Sequence, residues 1–284
     1  MIDRKNSIHQ GNFEFLLQYL ACPIDGSAAL TIIRNHDDQV VALRSKNGRY
    51  PIVNNVPCMM PGFGVKKSPA WEWWESLLEK WIETFGSQSD TELSSENDPV
   101  ACCIGEMISR SGADLCLDVG CGITTWTPYM EACGEEVEWI GIDPDLANLT
   151  GRYPFVQGTG EYLPFRFGVF DGILFSLVLS NMMDPHQSMR QAHRVLNPGG
   201  KLYIRYYVTR IDARFLIWKM LRNLGLVWQY NQFYKWVYTN QSLQELVRGT
   251  GFTVEERLLL CEICPLVNQC PDAGYEYLVT GRRE

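Results

Sequence analysis

The sequence lacks an apolar run of membrane-spanning length and an excess of basic residues. The longest apolar candidate, residues 215–228, is interrupted by Lys219, Arg222 and Asn223, whereas a spanning helix needs about 20 mainly apolar residues. We therefore expect no transmembrane segment. The net charge is −8, and binding to duplex DNA or bulk RNA depends on basic side chains that neutralise phosphates. A nucleic-acid partner is therefore disfavoured.

The sequence also shows no pattern typical of a secretion signal. The first twelve residues are polar and contain no apolar core, so we predict no signal peptide. The ten cysteines are scattered along the chain, and without a secretion signal the expected state is a buried, reduced thiol. We expect a cytoplasmic protein, and the sequence is compatible with a monomer and with a homo-oligomer.

The most informative stretch is LCLDVGCGITT, residues 115–125. An apolar run ends at Asp118, and Gly120 and Gly122 follow with Cys121 between them. Glycines permit a tight turn and close approach of a ligand to the backbone. The N-terminus of a following helix directs its N–H groups at that ligand. We predict that this stretch is the first strand and turn of a doubly wound α/β sheet.

The turn is not the usual turn of a nicotinamide enzyme, because Thr125 stands where G-x-G-x-x-G has its third glycine. A carboxylate at Asp118 suits a cationic ligand and would repel a nearby pyrophosphate. Residues 118–122 resemble the first motif of class I S-adenosylmethionine-dependent methyltransferases. The resemblance implies that Asp118 faces the amino group at the methionine end of the cofactor. An ordinary strand-to-helix turn is the alternative.

Asp143 ends the second predicted strand, 137–143, about twenty residues beyond the glycine turn. A carboxylate at this spacing can hold ribose hydroxyls, and in the methyltransferase family the matching residue binds both of them. Pro144 and Asp145 follow, so Asp143 can also cap a helix. The two roles are compatible.

Later segments resemble the same family in order and spacing. Residues 158–165, GTGEYLPF, resemble the segment that flanks the adenine, with Thr159 in place of the usual Asp. A threonine hydroxyl accepts a hydrogen bond more weakly than a carboxylate. Residues 170–176 form the predicted fourth strand, which ends at Ser176. We also predict helices at 185–195 and 242–248 and a strand at 252–259. Residues 194–200, RVLNPGG, predict a helix with a glycine C-cap followed at once by a central strand.

An N-terminal module precedes this domain. Its sequences LACP at 20–23 and YPI at 50–52 resemble the small zinc-ribbon-like domain of the tRNA methyltransferase activator family. Some members bind zinc through Cys-x-x-Cys pairs, but in this sequence Asp25 stands in the place of the second cysteine of the pair that Cys22 would begin. A structural zinc site needs four good ligands, so we predict no metal. Three more cysteines lie close together at Cys261, Cys264 and Cys270. We expect them to be free thiols that bind no metal.

We therefore predict three parts and an α/β fold with a Rossmann-like, doubly wound, seven-stranded methyltransferase sheet. Residues 1–62 form the small β-rich module. Residues 63–99 comprise a helix, 68–85, and an acidic linker. Residues 100–284 form the class I methyltransferase domain, with an insertion at 208–238. Trp71 and Trp74 recur at helical spacing in the helix, where packing and a lid over the cofactor are the alternatives.

The insertion is rich in aromatic residues. They are Phe215, Trp218, Trp228, Tyr230, Phe233, Tyr234, Trp236 and Tyr238. We hypothesise that they form an apolar or aromatic acceptor pocket; core packing is the alternative. Arg214, Lys219 and Arg222 also allow an interfacial helix.

The predicted function is S-adenosylmethionine-dependent methyl transfer to a small, apolar or aromatic acceptor. A non-catalytic scaffold of the same fold and an RNA methyltransferase are the alternatives. Alignment of the reacting atoms provides most of the catalysis in methyl transfer, so no catalytic residue is assigned; of the four histidines, His186 is the candidate base. The residues predicted to bind the cofactor are Asp118, Gly120, Cys121, Gly122, Asp143, Pro144, Thr159, Gly160, Glu161 and Ser176.

Overall fold

A computed structural model describes residues 8–61, 69–85, 99–122, 128–144, 153–208, 211, 213–227, 235–260 and 276–284. Its helices, numbered in chain order, are α1 Ile8–Leu17, α2 Pro69–Phe85, α3 Pro99–Arg110, α4 Pro128–Cys133, α5 Pro185–Val195, α6 Ala213–Asn223 and α7 Asn240–Gly249. Its strands are β1 Thr31–Arg34, β2 Val40–Ser45, β3 Gly48–Val53, β4 Val56–Pro57, β5 Leu115–Val119, β6 Glu138–Asp143, β7 Phe155–Gln157, β8 Phe170–Ser176, β9 Leu196–Tyr207, β10 Phe252–Leu259 and β11 Glu276–Arg283.

Seven of these strands form one mixed sheet in the order β10-β11-β9-β8-β5-β6-β7. The five strands from β5 to β9 pair in parallel, and β11 and β10 add to β9 as antiparallel strands. The strand order reverses at β5, which lies between β6 and β8. Ligands of open α/β sheets bind at such a switch point, outside the carboxyl ends of the strands. The predicted fold class is confirmed.

The position of β5 inside the sheet explains why the residues before the glycine turn are mainly apolar. Every residue of β5 is buried, as expected for a parallel strand covered on both faces. The prediction for β8 matches its bounds residue for residue, and so do the predictions for α5 and β10. Strong apolar patterning and clear end signals therefore define the elements around the switch point.

The N-terminal module is a four-stranded antiparallel sheet in the order β1-β2-β3-β4. Its β3–β4 turn has positive φ at Asn54 and Asn55, as a tight hairpin turn requires. The module packs on the β7 edge of the large sheet, where Met59 N donates to Gln157 O at 2.8 Å. Leu20 and Met59 belong to the same buried cluster as the large sheet's core. The module thus shares a core with that sheet, and its boundary at residue 62 stays a prediction.

One predicted helix cap and one predicted helix start are wrong. Helix α5 ends at Val195, and its C-cap is Leu196, whose N–H donates to Ala192 O, and not a glycine. Leu196 is fully buried and pairs with Phe170, so β9 starts there. The glycines at 199–200 lie in the first part of β9, where its pairing with β8 is irregular. Helix α7 begins at Asn240, two residues before the prediction, because Thr239 and Ser242 form a capping box.

Helix α2 places its first tryptophans against the large domain. Trp71 and Trp74 are buried, with ring centroids 5.3 Å apart, and they pack against Met183. The side chains of Leu78, Trp81 and Ile82 lie outside the described residues, and so do residues 86–98 of the linker predicted at 86–99. Pro99, the last residue of that linker, instead begins α3. Of the helices that the structure describes, none is long and apolar enough to cross a bilayer.

Candidate active site

The turn after β5 is bound to the end of β6. Gly120 N donates to Ile142 O at 2.8 Å, and Gly122 N donates to Asp143 Oδ2 at 2.9 Å. Both glycines have positive φ, +75° and +69°. A Cβ at Gly120 would lie 2.3 Å from Val178, whereas a Cβ at Gly122 would meet none of the described residues within 4 Å. Packing therefore fixes Gly120, and the described residues leave room beside Gly122.

Asp118 is fully buried beneath this turn. Its Oδ2 accepts a hydrogen bond from the hydroxyl of Tyr129 on α4. Its Oδ1 is buried and has no hydrogen-bond partner within the part of the chain that is described. Burial raises the pKa of Asp118 to about 7, with a smaller increase from Asp143 and an opposing effect of the Tyr129 hydrogen bond. A donor or a cation at Oδ1 would favour ionisation.

The thiol of Cys121 lies within the turn, where it donates to the Gly122 carbonyl at 3.8 Å. The Cys121 side chain is buried against Val56 and Phe155. Burial, together with Asp118 and Asp143, raises the pKa of the thiol, so Cys121 is a neutral packing residue. Because Val56 belongs to β4, the N-terminal module directly supports the glycine turn.

The segment after β7 lies beside Asp143. Gly158 N donates to the Asp143 carbonyl at 3.0 Å, and the Gln157 side chain donates to the Pro144 carbonyl at 2.9 Å. Thr159 and Gly160 are buried, and Gly160 packs beside Val119 and Met182. The predicted adenine-side segment is therefore held close to both carboxylate-bearing strands.

Glu161 connects this segment to the loop after β8. Its Oε1 accepts from Met183 N at 2.7 Å and from Asp184 N at 3.3 Å. Burial raises the pKa of Glu161, and these hydrogen bonds oppose that increase. The carboxylate thus holds two loops together, and its contact with the cofactor stays a prediction.

The loop after β8 starts with a backbone conformation that the sequence did not reveal. Ser176 is half-buried at the end of β8, and the next residue, Leu177, has φ +58°. Leu177 N donates to Arg205 O at 3.0 Å. A non-glycine residue in this region is strained by about 1–3 kcal/mol, and such residues cluster at functional sites.

Residues 235–238 of the insertion bind the same loop. Lys235 Nζ donates to Met183 O and Trp236 Nε1 donates to Met182 O, both at 2.8 Å. Burial and the nearby Arg222 lower the pKa of Lys235. Phe215 and Tyr238 are buried as well, so these aromatic residues pack on the protein. Four of the predicted pocket residues lie outside the described part: Trp228, Tyr230, Phe233 and Tyr234.

The histidines of α5 and Cys22 of the N-terminal module have different surroundings. His186 is exposed on α5, and His193 packs edge-on against Phe252 at 5.2 Å. The Cys22 thiol contacts Ser45 and Asn47, both at 3.3 Å. Across the described ranges, no three His, Cys, Asp or Glu side chains gather as a metal site would require. The cysteine cluster at 261–270 lies outside these ranges.

Comparison with known proteins identifies the family. A family model described as a methyltransferase domain matches residues 91–257, more than half of the chain. The chain belongs to the methyltransferase-domain family. This confirms the family predicted from the motifs at 118–122, 158–165 and 194–200.

Sequence relatives of this methyltransferase-domain protein cover it in part. It is 30% identical over 115 residues to a demethylmenaquinone methyltransferase of Mycolicibacterium gilvum, across 39% of this chain and 49% of the relative. It is 23% identical over 156 residues to the ubiquinone/menaquinone biosynthesis C-methyltransferase UbiE of Wigglesworthia glossinidia brevipalpis, across 55% and 54%. The chain spans about half the length of each of these relatives.

Solved structures show the same fold. The 1,6-didemethyltoxoflavin-N1-methyltransferase of Burkholderia thailandensis has a TM-score of 0.54 at 17% identity, covering 84% of this chain and 96% of that one. A chain of the complex between the Haloferax volcanii Trm112 methyltransferase activator and a methyltransferase has a TM-score of 0.52 at 14% identity, covering 72% and 96%.

Proposed function

We propose that this protein transfers a methyl group from S-adenosylmethionine to a small, apolar or aromatic acceptor. The observation that carries the proposal is the hydrogen bond between Gly122 N and Asp143 Oδ2 at 2.9 Å. It joins the glycine turn to the predicted ribose-binding acid at the switch point of a methyltransferase-family sheet.

The residues present fit this cofactor. Asp118 Oδ1 is a buried acceptor without a partner among the described residues, and an ammonium group would satisfy it. The residues that the structure describes leave room for a Cβ at Gly122. Asp143 is half-buried at the end of β6. An amino-acid tail near Asp118 and a sugar near Asp143 would match these three features.

When bound, S-adenosylmethionine supplies an electrophilic methyl group on a sulfonium. The chain's own contribution is to bind and orient. Glu161 accepts hydrogen bonds from Met183 N and Asp184 N, and Lys235 and Trp236 donate to the carbonyls of Met183 and Met182. The loop after β8 is thus held by side chains from two other segments of the chain, as alignment of an acceptor requires.

The proposed acceptor is an aromatic ring of the quinol type. One observation supports it: the names of the relatives, which are methyltransferases of menaquinone and ubiquinone biosynthesis. The chain spans about half of each relative. The quinol acceptor is therefore a separate proposal from methyl transfer, and it has its own test.

Calorimetry with S-adenosylhomocysteine tests the cofactor site. Asp143→Asn keeps an acceptor for Gly122 but removes the charge, and we expect roughly tenfold weaker binding. Glu138→Gln, at the exposed opposite end of the same strand, is the matched control and should bind as the wild type does. Equal affinity of both variants, or no wild-type binding, would refute the proposal.

Transfer itself is measured with a methyl-labelled donor and a water-soluble demethylated naphthoquinol. We expect label in the ring product and none in added RNA. Cofactor binding without transfer to any small acceptor would indicate a scaffold of the same fold, and labelled RNA would contradict the small-molecule acceptor.

A further inference from the structure

An apolar surface is exposed on and around α6. We call it the α6 face, and it comprises Ile211, Leu216, Ile217, Met220, Leu224 and Leu226. Each of these residues is between 55% and 67% exposed. Contiguous exposed apolar groups of this kind mark interaction sites on soluble domains.

The opposite side of α6 holds the helix on the protein. Phe215 is buried, and Arg222 donates to Lys235 O at 2.9 Å with its guanidinium 3.8 Å from the centre of the Trp236 ring. With about 100° between successive residues, Ile217 and Met220 lie on the side of the helix opposite Phe215 and Arg222. The helix is therefore anchored by one side and exposes an apolar side outward.

Basic residues border the α6 face. On the same helical projection, Arg214 and Lys219 lie at its two margins, and both are exposed. Positions 211–226 contain three basic residues and one acidic residue, in a chain whose net charge is −8. A second copy meeting this face across a two-fold axis would bring like charges together, whereas an anionic surface would complement them.

We propose that the α6 face docks on the surface of an anionic lipid bilayer. Apolar side chains would enter the interface, and the bordering Arg214 and Lys219 would reach the headgroups. At 11 residues, α6 is long enough to lie in the interface and too short to cross the membrane.

Docking would place the candidate active site at the membrane. Arg222 binds the carbonyl of Lys235, whose N–H in turn donates to Ser180 O at 3.0 Å in the loop after β8. The α6 face is thus connected through two residues to the loop over the site. A lipid-soluble aromatic acceptor would reach that loop from the bilayer; this consequence, unlike the docking, rests on the proposed function.

Vesicle co-sedimentation tests the docking. The full chain should bind vesicles of equimolar phosphatidylcholine and phosphatidylglycerol, and bind phosphatidylcholine vesicles much more weakly. Ile217→Ser/Met220→Ser should weaken binding roughly tenfold or more, because each buried methylene adds to membrane affinity. Lys219→Gln should weaken it about fivefold at low salt, the effect of about one surface cation.

The matched control is Ile24→Ser/Ile32→Ser, which removes two exposed apolar side chains from the N-terminal module and should bind vesicles as the wild type does. All variants should keep wild-type affinity for S-adenosylhomocysteine, which separates this test from that of the proposed function. Absence of wild-type vesicle binding would overturn the proposal. So would unchanged binding of Ile217→Ser/Met220→Ser, or a stable dimer in ultracentrifugation that this variant abolishes.

Discussion

The protonation of Asp118 should make cofactor binding depend on pH. Burial raises the pKa of Asp118 to about 7 in the ligand-free protein. The ammonium group of the ligand should bind the ionised carboxylate, and it stays protonated below its own pKa, near 8 or above. We therefore expect affinity for S-adenosylhomocysteine to rise from pH 5 to pH 7.

The magnitude follows from the ionised fraction. With a pKa of about 7, about a tenth of the molecules carry an ionised Asp118 at pH 6 and about a hundredth at pH 5. The apparent dissociation constant is divided by the binding-competent fraction. It should therefore fall about ninefold from pH 5 to pH 6, about fivefold from pH 6 to pH 7, and only about twofold above pH 7.

Calorimetry across this range measures the effect in the wild type, Asp118→Asn and Glu138→Gln. Asp118→Asn should bind weakly with no such slope, whereas Glu138→Gln should reproduce the wild-type profile. A flat wild-type profile, or an equal slope in Asp118→Asn, would refute the role of Asp118.

Three further predictions concern the same turn. Removing the hydroxyl with Tyr129→Phe should move the midpoint of the pH profile upward by about one pH step, because a hydrogen bond to the ionised Asp118 is lost; an unmoved midpoint would contradict the hydrogen bond. Without ligand, the wild type should lose about 4 kcal/mol of unfolding free energy between pH 4 and pH 8, because the native pKa of about 7 exceeds the ordinary 3.8. Urea unfolding at pH 4 and pH 8 should show a smaller loss in Asp118→Asn than in the wild type. An equal loss in the two proteins would contradict the raised pKa of Asp118. Gly120→Ala should cost about 3 kcal/mol or more, since its Cβ would clash with Val178, and Gly122→Ala about 1 kcal/mol; equal costs would contradict the packing described.

The parts of the fold that local patterns specify were predictable. Strand β8 contains the apolar run ILF at 173–175 after Phe170, and α5 begins at a proline directly after the N-cap Asp184. Both elements were predicted with their observed bounds. The switch point and its two acids, Asp118 and Asp143, followed from the spacing of the glycine turn and the second strand.

Features that depend on distant contacts were not predictable. Tyr129 lies in a helix without a motif, and its contact with Asp118 exists only once α4 packs beside β5. Leu177 takes a positive φ because its N–H binds Arg205 on the neighbouring strand. Glu161 looked like a ligand-binding residue from its segment, yet its carboxylate is used by two backbone N–H groups in the loop after β8.

The role of the N-terminal module also depends on tertiary structure. Its resemblance to the methyltransferase activator family stays a prediction. The structure adds a physical connection: Val56 packs on Cys121 within the glycine turn, and Met59 pairs with Gln157 at the sheet edge. We expect the module to stabilise the turn rather than to act as a detached domain.

A crystal structure of the protein with S-adenosylhomocysteine tests the central claim most directly. The account predicts the ligand's ribose hydroxyls within hydrogen-bond distance of Asp143 and its amino group beside Asp118. A ligand bound with neither carboxylate in contact, or at another surface, would contradict it.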